Sequence, residues 1–511
     1  MEFCMHHEPK PSIKSIHGPT TFEEAIEKTG FGKFNILLIL AAICGIFAPI
    51  FETTTMSYIF APAQCDLNLS LQDKGYLNCI AYAGMIATSF IWGFLLDTFG
   101  RRKFMIYGYL LDAIVVLLSS CSQSIEMLML SKFLGGVIIN GPFTAMATYL
   151  GEFHSAQYRS KIQLVNGAVM CTGQLVLPLL AWGILPLPVD WPLFNGLINF
   201  RSWNLYLFVC GLFPLASGVI FCFLPESPKF LMTIGENEKA MKILQKVYSI
   251  NTGKLPETYP VKELLQETDE SHKHRSIKNA MTEEFSNLFP LFKAPYLSKF
   301  ALLCVVQFLT VQSMNMLRLW SPQLFQAMED YKVVNNGTTA DLCSMMDILK
   351  PKTDSSCTTN VGNPGVYINS IIVSSSAIAG YFVTISVINL LGKKPVIVSY
   401  AFVAASCSMG LYFSLSVEVT TFLIAGFIAL GNIANNVIIS VVVDHFPTNL
   451  RAFTVSLVMG FARIGALTGN IGFPFLVNLG CAPPFFVVGS IMAAGSLLSL
   501  LLPKTDNKAL I

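Results

Sequence analysis

Gly93-Phe-Leu-Leu-Asp97-Thr-Phe-Gly100-Arg101-Arg102-Lys103 lies between two long apolar runs, about 75–96 and 104–120. A carboxylate and three cations in so short a connection need a physical reason. Two membrane-spanning helices joined by few residues turn sharply at the membrane face, and glycine lets the backbones come close. Arg101, Arg102 and Lys103 anchor the turn on the cytoplasmic side. Asp97 is suited to a helix N-terminus or to an arginine across the bundle.

The rest of the chain agrees. Of its 511 residues 53% are hydrophobic and 13% are charged, about half the charged share of a soluble domain. Twelve apolar runs are long enough to span a bilayer: 34–60, 75–97, 104–121, 126–150, 162–184, 203–224, 299–325, 366–391, 395–415, 419–443, 451–477 and 484–502. The predicted fold class is an all-α integral membrane protein with twelve transmembrane helices in two six-helix bundles. Its predicted parts are a cytoplasmic N-terminal segment (1–33), a first bundle (34–224), a cytoplasmic linker (225–298), a second bundle (299–502) and a cytoplasmic tail (503–511). Lys and Arg gather in the loops placed inside, so both termini are expected in the cytoplasm. Residues 1–33 lack an apolar core, and no cleaved signal peptide is expected. A net charge of +2 gives no reason to expect nucleic acid as a partner.

The second half repeats the opening pattern. In Ile385-Ser-Val-Ile-Asn389-Leu-Leu-Gly392-Lys393-Lys394, Asn389 stands where Asp97 stands and Gly392 where Gly100 stands. The echo falls between runs 8 and 9, where a duplicated six-helix unit requires it, and repeated halves with a site between them are an alternating-access architecture. Glu152-x6-Arg159 after run 4 and Asp444-x2-Pro447-Thr448-x2-Arg451 between runs 10 and 11 occupy equivalent positions. Glu226, in Pro225-Glu-Ser-Pro-Lys229, ends run 6. Asp97, Gly100, Arg101, Arg102, Glu152, Arg159, Glu226, Asp444 and Arg451 are therefore expected to form one cytoplasmic gate layer.

The G-x3-D-x2-G-R-R-K pattern, its echo and these helix-end motifs resemble the major facilitator superfamily, in its sugar-porter and organic-ion-transporter branch. Thr21 to Lys33, Ile59-Phe-Ala-Pro62, Ser202-Trp203 and Pro225 to Ile243 are similar to the synaptic vesicle glycoprotein 2 family. Only twenty residues stand before Thr21 in this sequence, fewer than that family's N-terminal extension. Its large outer domain between spans 7 and 8 is reduced to about forty residues, 326–364. The resemblance implies a secondary active transporter of a small organic solute, with an organic ion among the candidates, working by alternating access. The alternative it allows is a vesicle or trafficking membrane protein without robust transport. Either implies a multi-pass monomer in the plasma membrane or an intracellular vesicle membrane.

Ionisable groups inside spans are the default candidates for substrate or coupling-ion contact. Glu52 in span 1, Arg318 in span 7 and Arg463 in span 11 are selected, with a structural Glu52–Arg318 ion pair as the plainer alternative. Asp112 is read as an anchor at the cytoplasmic face, and Lys132 as a residue that snorkels or pairs. Gln174, Asn315, Asn435 and Asn436 can bind a ligand or cross-link helices. Trp320 is an outer lid or an interface aromatic. The paired glutamines that sugar porters carry shortly before the position of Asn315 are Leu309 and Thr310 here, which argues against a hexose.

Asn68 and Asn336 are glycosylation sequons on the expected outside. Cys343 and Cys357 share the outer loop and form the candidate disulfide, with Cys65 a third candidate. No nucleophile elbow, phosphate loop or metal-ligand spacing is present, so no enzyme activity, cofactor or metal is expected.

Overall fold

The computed structural model describes residues 19–266, 289–294, 296–336, 338, 340–346 and 362–503. Among these, twelve helices have 18 or more residues. In the first half they are spans 1 (Lys33–Leu67), 2 (Leu71–Phe99), 3 (Arg101–Ser120), 4 (Ile125–Glu152), 5 (Ala156–Ile184) and 6 (Ser202–Cys222). In the second half they are spans 7 (Tyr296–Val334), 8 (Gly365–Leu391), 9 (Lys393–Gly410), 10 (Val417–His445), 11 (Thr448–Asn478) and 12 (Ala482–Ser499). Eleven of the described helices are long and apolar enough to cross a membrane, and Leu71–Phe99 is the twelfth long helix among them.

The turn that opened the sequence reading is built on one residue. Gly100 ends span 2 and starts span 3 with φ 92° and ψ 154°. Gly392 does the same between spans 8 and 9 with φ 81° and ψ 169°. Side chains other than glycine's rarely adopt this backbone region. The duplication is therefore written in the backbone even where its charged residues have diverged.

Several helices run past their expected ends. Span 1 continues through Pro49 and Pro62 to Leu67, so Pro62 does not close it. Its buried residues lie on both sides of each proline, and Tyr109 of span 3 donates at 2.9 Å to the Gly45 carbonyl, which Pro49 leaves without its helical donor. Span 7 reaches Val334, which takes residues from the expected outer loop. A hairpin of Asp190–Leu193 and Ile198–Arg201, absent from the all-helical expectation, caps the outer connection between spans 5 and 6.

At the end of the bundle that carries the 100–103 turn, Phe22–Lys28, Pro228–Thr233 and Asn237–Thr252 make a small helical cluster. Thr21 and Glu24 form a capping box on the first of these. The amphipathic helix Asn237–Thr252 buries Ala240, Leu244, Val247 and Tyr248. Phe22, Ala25 and Ile26 pack against it. Residues 267–288 of the expected linker 225–298 lie outside the described residues.

Candidate functional site

The two halves meet around a central cavity of about 250 Å³. Arg318, Arg463, Gln174, Asn315, Asn435 and Asn436 all line it. Glu52 and Trp320 do not. The structure also brings in Tyr82, Asn140, Gln307, Tyr381 and Asn432, which sequence reasoning had not selected. Asn140 and Gln307 were detectable by the rule that drew attention to Asn315, since each is an amide within an apolar run.

Arg318 is held by neutral groups. Its Nη2 donates to Asn315 Oδ1 at 2.7 Å and to Tyr82 Oη at 3.1 Å, and its Nη1 donates to Thr54 Oγ1 at 3.2 Å. Arg463 donates to Ser89 Oγ at 2.7 Å and to Asn140 Oδ1 at 2.6 Å. Thr54, Tyr82, Ser89 and Asn140 belong to the first half, so both second-half arginines bridge the halves. The cavity's amides are also engaged elsewhere. Gln307 donates to Asn435 Oδ1 at 2.5 Å, and Asn436 donates to the Tyr381 hydroxyl.

Glu52 does not pair with Arg318. Its partner is Lys132 on span 4, at 3.0 Å, with the two side chains 2% and 1% exposed. Gly135 makes the room, because a Cβ there would stand 2.4 Å from Glu52 Oε1. Asp112 is buried and within electrostatic reach of the same pair. Span 3 starts at Arg101, so at about 1.5 Å per residue Asp112 lies some 16 Å into the span. It is not a face anchor. Lys132, too, is pinned deep inside and does not snorkel.

Outside the cavity the halves are sealed. Lys74 on span 2 donates to Gln64 and to Gln323 of span 7, each at 3.0 Å. Trp320 is buried, with its ring 4.9 Å from Phe473 and 6.3 Å from Phe60. That burial removes the interface-aromatic reading. Ser374 donates to the Gln174 carbonyl at 3.2 Å across the same seam.

The charges of the expected gate layer are arranged differently. Arg101 Nε lies 3.4 Å from Glu152 and its guanidinium sits over the Phe230 ring. Glu226 accepts from the backbone N–H of Arg102 at 3.1 Å and of Ser227 at 2.9 Å. Gly100 makes this possible, since a Cβ there would meet Phe230 at 2.8 Å and Glu226 at 2.9 Å. Arg159 pairs with Glu23 at 2.8 Å. In the second half Asp444 pairs with Lys393 at 2.5 Å. Arg451 Nε has no hydrogen-bond partner among the described residues. The single layer expected from the sequence is thus two clusters, one per half, and no ion pair joins them among the described residues. The Asp97 side chain lies outside what is described.

The expected Cys343–Cys357 bridge is corrected. Cys343 bonds to Cys481, 138 residues away. The short helix Leu342–Met346 buries Leu342, Met345 and Met346 on the second half, and this carries Cys343 to the start of span 12. Cys65 is also disulfide-bonded, and Cys357 lies outside the described residues. Asn68 and Asn336 are both exposed.

Comparison with known proteins agrees with this geometry. Residues 37–335 match the family described as Sugar (and other) transporter. Synaptic vesicle glycoprotein 2B of Rattus norvegicus is 23% identical, over 96% of this chain and 86% of its own length. The inward-open xylose transporter XylE from E. coli superimposes with a TM-score of 0.65 at 15% identity, covering 93% of this chain and 98% of that one. The proton:xylose symporter XylE bound to 6-bromo-6-deoxy-D-glucose gives a TM-score of 0.63 at 17% identity, over 92% and 96%. The fold is that of the major facilitator superfamily.

Proposed function

The chain belongs to the sugar (and other) transporter family, and from that premise we propose that it moves a small organic solute across its membrane by alternating access. The observation that carries this is the position of the central cavity. It lies on the seam between repeated halves and is covered on the outside by Lys74, Gln323, Trp320 and Ser374. The bridges through Arg318 and Arg463 lie at the cavity itself, and among the described residues no ion pair links the halves at the cytoplasmic end. This favours an inward-facing state. In it the gate is disengaged, with Arg101–Glu152 and Lys393–Asp444 each kept inside one half.

Glu52, Lys132 and Asp112 are proposed as the coupling centre. Two acids and one base are buried together, so one carboxylate lacks a compensating cation, and a proton is the simplest ion to supply it. Glu52→Gln is then expected to abolish pH-driven uptake while sparing solute exchange.

The protein is proposed to act as a monomer with both termini in the cytoplasm. The vesicle-glycoprotein relative supports a second reading, that of a transporter-like vesicle component without robust transport. Counterflow in proteoliposomes separates the two. Liposomes are preloaded with an organic anion, an organic cation or a hexose, and entry of the labelled counterpart is followed. Accumulation above protein-free liposomes for one class supports transport. No accumulation in any class supports the second reading.

A further inference from the structure

We propose that the central cavity takes a small organic monoanion, a carboxylate or sulfonate on a compact apolar body, held between Arg318 and Arg463. This rests on the transport reading of the same cavity and names its substrate class.

The charge balance leads to this conclusion. Among the described residues two arginines line the cavity and no aspartate or glutamate does. Arginine stays protonated in proteins. The described partners of both guanidinium groups are hydroxyls and amides, and Arg318 Nε is buried without a partner among the described residues. Neutral dipoles satisfy donors but leave the charge uncompensated, and an uncompensated buried charge is costly. Glu52 is the buried acid of span 1, and Lys132 already holds it. The missing negative charge is therefore one that a ligand would bring.

The other features restrict the ligand further. Ile50, Met85, Ile139, Phe143, Met170 and Met314 supply much of the wall, which suits an apolar body. About 250 Å³ falls just below the range of roughly 300–1,000 Å³ usual for ligand pockets, so the solute is compact. A hexose requires many uncommitted hydrogen-bonding groups. Here Asn140 and Asn315 serve the arginines, Gln307 and Asn436 donate to Asn435 and Tyr381, and the buried amide atoms of the lining left unpaired among the described residues are Gln307 Oε1 and Asn432 Nδ2, few for a polyol. An organic cation would meet two like charges.

The test uses the purified full chain in nanodiscs and four probes: 2-naphthoate, its neutral analogue 2-naphthamide, 2-naphthylmethylammonium and glucose. The melting temperature is titrated against each. We expect naphthoate to bind at least tenfold more tightly than the amide, with no shift from the amine or glucose. Arg318→Gln and Arg463→Gln are expected to remove most of the preference for naphthoate over the amide, while the corresponding lysine variants retain part of it. If either glutamine variant fails to fold, the wild-type probe series still decides. Equal binding of naphthoate and naphthamide, a preference for the amine or glucose, or no response to naphthoate overturns the proposal and leaves the arginines as latches between halves. Counterflow of labelled naphthoate and glucose in proteoliposomes distinguishes the two readings. Naphthoate binding without counterflow rejects transport and keeps the anion site, whereas glucose counterflow without naphthoate binding does the reverse.

Discussion

Lys132 Nζ lies 3.0 Å from Glu52 Oε2 and 3.4 Å from the Glu52 carbonyl oxygen, so one ammonium ties span 4 to both the side chain and the backbone of span 1. Its third contact, Thr55 Oγ1 at 3.3 Å, completes its donor capacity. Removing one member of such a pair strands a charge, at a cost of about 3–5 kcal/mol. Lys132→Met is expected to lower the melting temperature sharply. Adding Glu52→Gln to it is expected to restore much of the loss, because the Glu52 charge is then no longer stranded. Strict additivity of the two single effects in a double-mutant cycle would count against a direct pair.

Gly100 has φ 92° and its missing Cβ points at Phe230 and Glu226. Gly100→Ala adds backbone strain of about 1–3 kcal/mol and pushes Glu226 off the backbone N–H groups of Arg102 and Ser227. The expected result is a destabilised protein in which Glu226→Gln costs less than it does in the parent. Equal stability of Gly100→Ala and the parent on thermal unfolding would refute the turn's role.

Much of the fold was legible because its signals are local. Periodic apolar runs reveal spans, and glycine with adjacent cations marks the short turns between them. The repeat of Gly100 at Gly392 survives in sequence because only glycine fits that backbone. The partners inside the bundle were less legible. Glu52 and Lys132 are 80 residues apart, and which of three cations a buried acid meets depends on helix rotation, which sequence spacing does not fix. Asp112 was misplaced because the depth of a residue depends on where its helix starts. Cys357 looked like the partner of Cys343 because it is near in sequence, whereas the burial of Leu342, Met345 and Met346 carries Cys343 to Cys481.

That disulfide closes a long loop, with a sequence separation of 138 residues. Chain-entropy arguments assign such a bridge about 2–4 kcal/mol, most of it through the unfolded state. Cys343→Ser is expected to lower stability without changing the cavity. Peptide mapping under non-reducing conditions is expected to recover a cross-linked peptide containing Cys343 and Cys481. A peptide joining Cys343 to any other cysteine would refute the connectivity.

Lys74 bridges the halves through Gln323 on the side of the cavity proposed to face outward, and Cys171 lines that cavity. Lys74→Ala is expected to loosen the outer seal and raise the rate at which an impermeant maleimide, added from outside, labels Cys171. Mass spectrometry reads the site directly. An unchanged rate would leave Trp320 and its aromatic neighbours as the seal.

His154, in the turn between spans 4 and 5, is buried, and its Nδ1–H donates to the Leu150 carbonyl at 2.6 Å. Burial holds its imidazole below the usual range, and the nearby Arg159 guanidinium acts in the same direction, while the Leu150 hydrogen bond opposes both. The sign of the pH effect follows from where the proton binds. With a lower pKa folded than unfolded, the unfolded chain takes up the proton first, so stability falls as the medium becomes acidic. The loss begins near the ordinary histidine value of 6.5 and ends once the folded-state value has been passed. His154→Gln cannot titrate, so the melting temperature of the variant is expected to fall less than the parent's between about pH 7.5 and 5.5, a window that brackets the usual histidine range. Parallel curves for the two proteins would show that His154 does not contribute to the acid sensitivity.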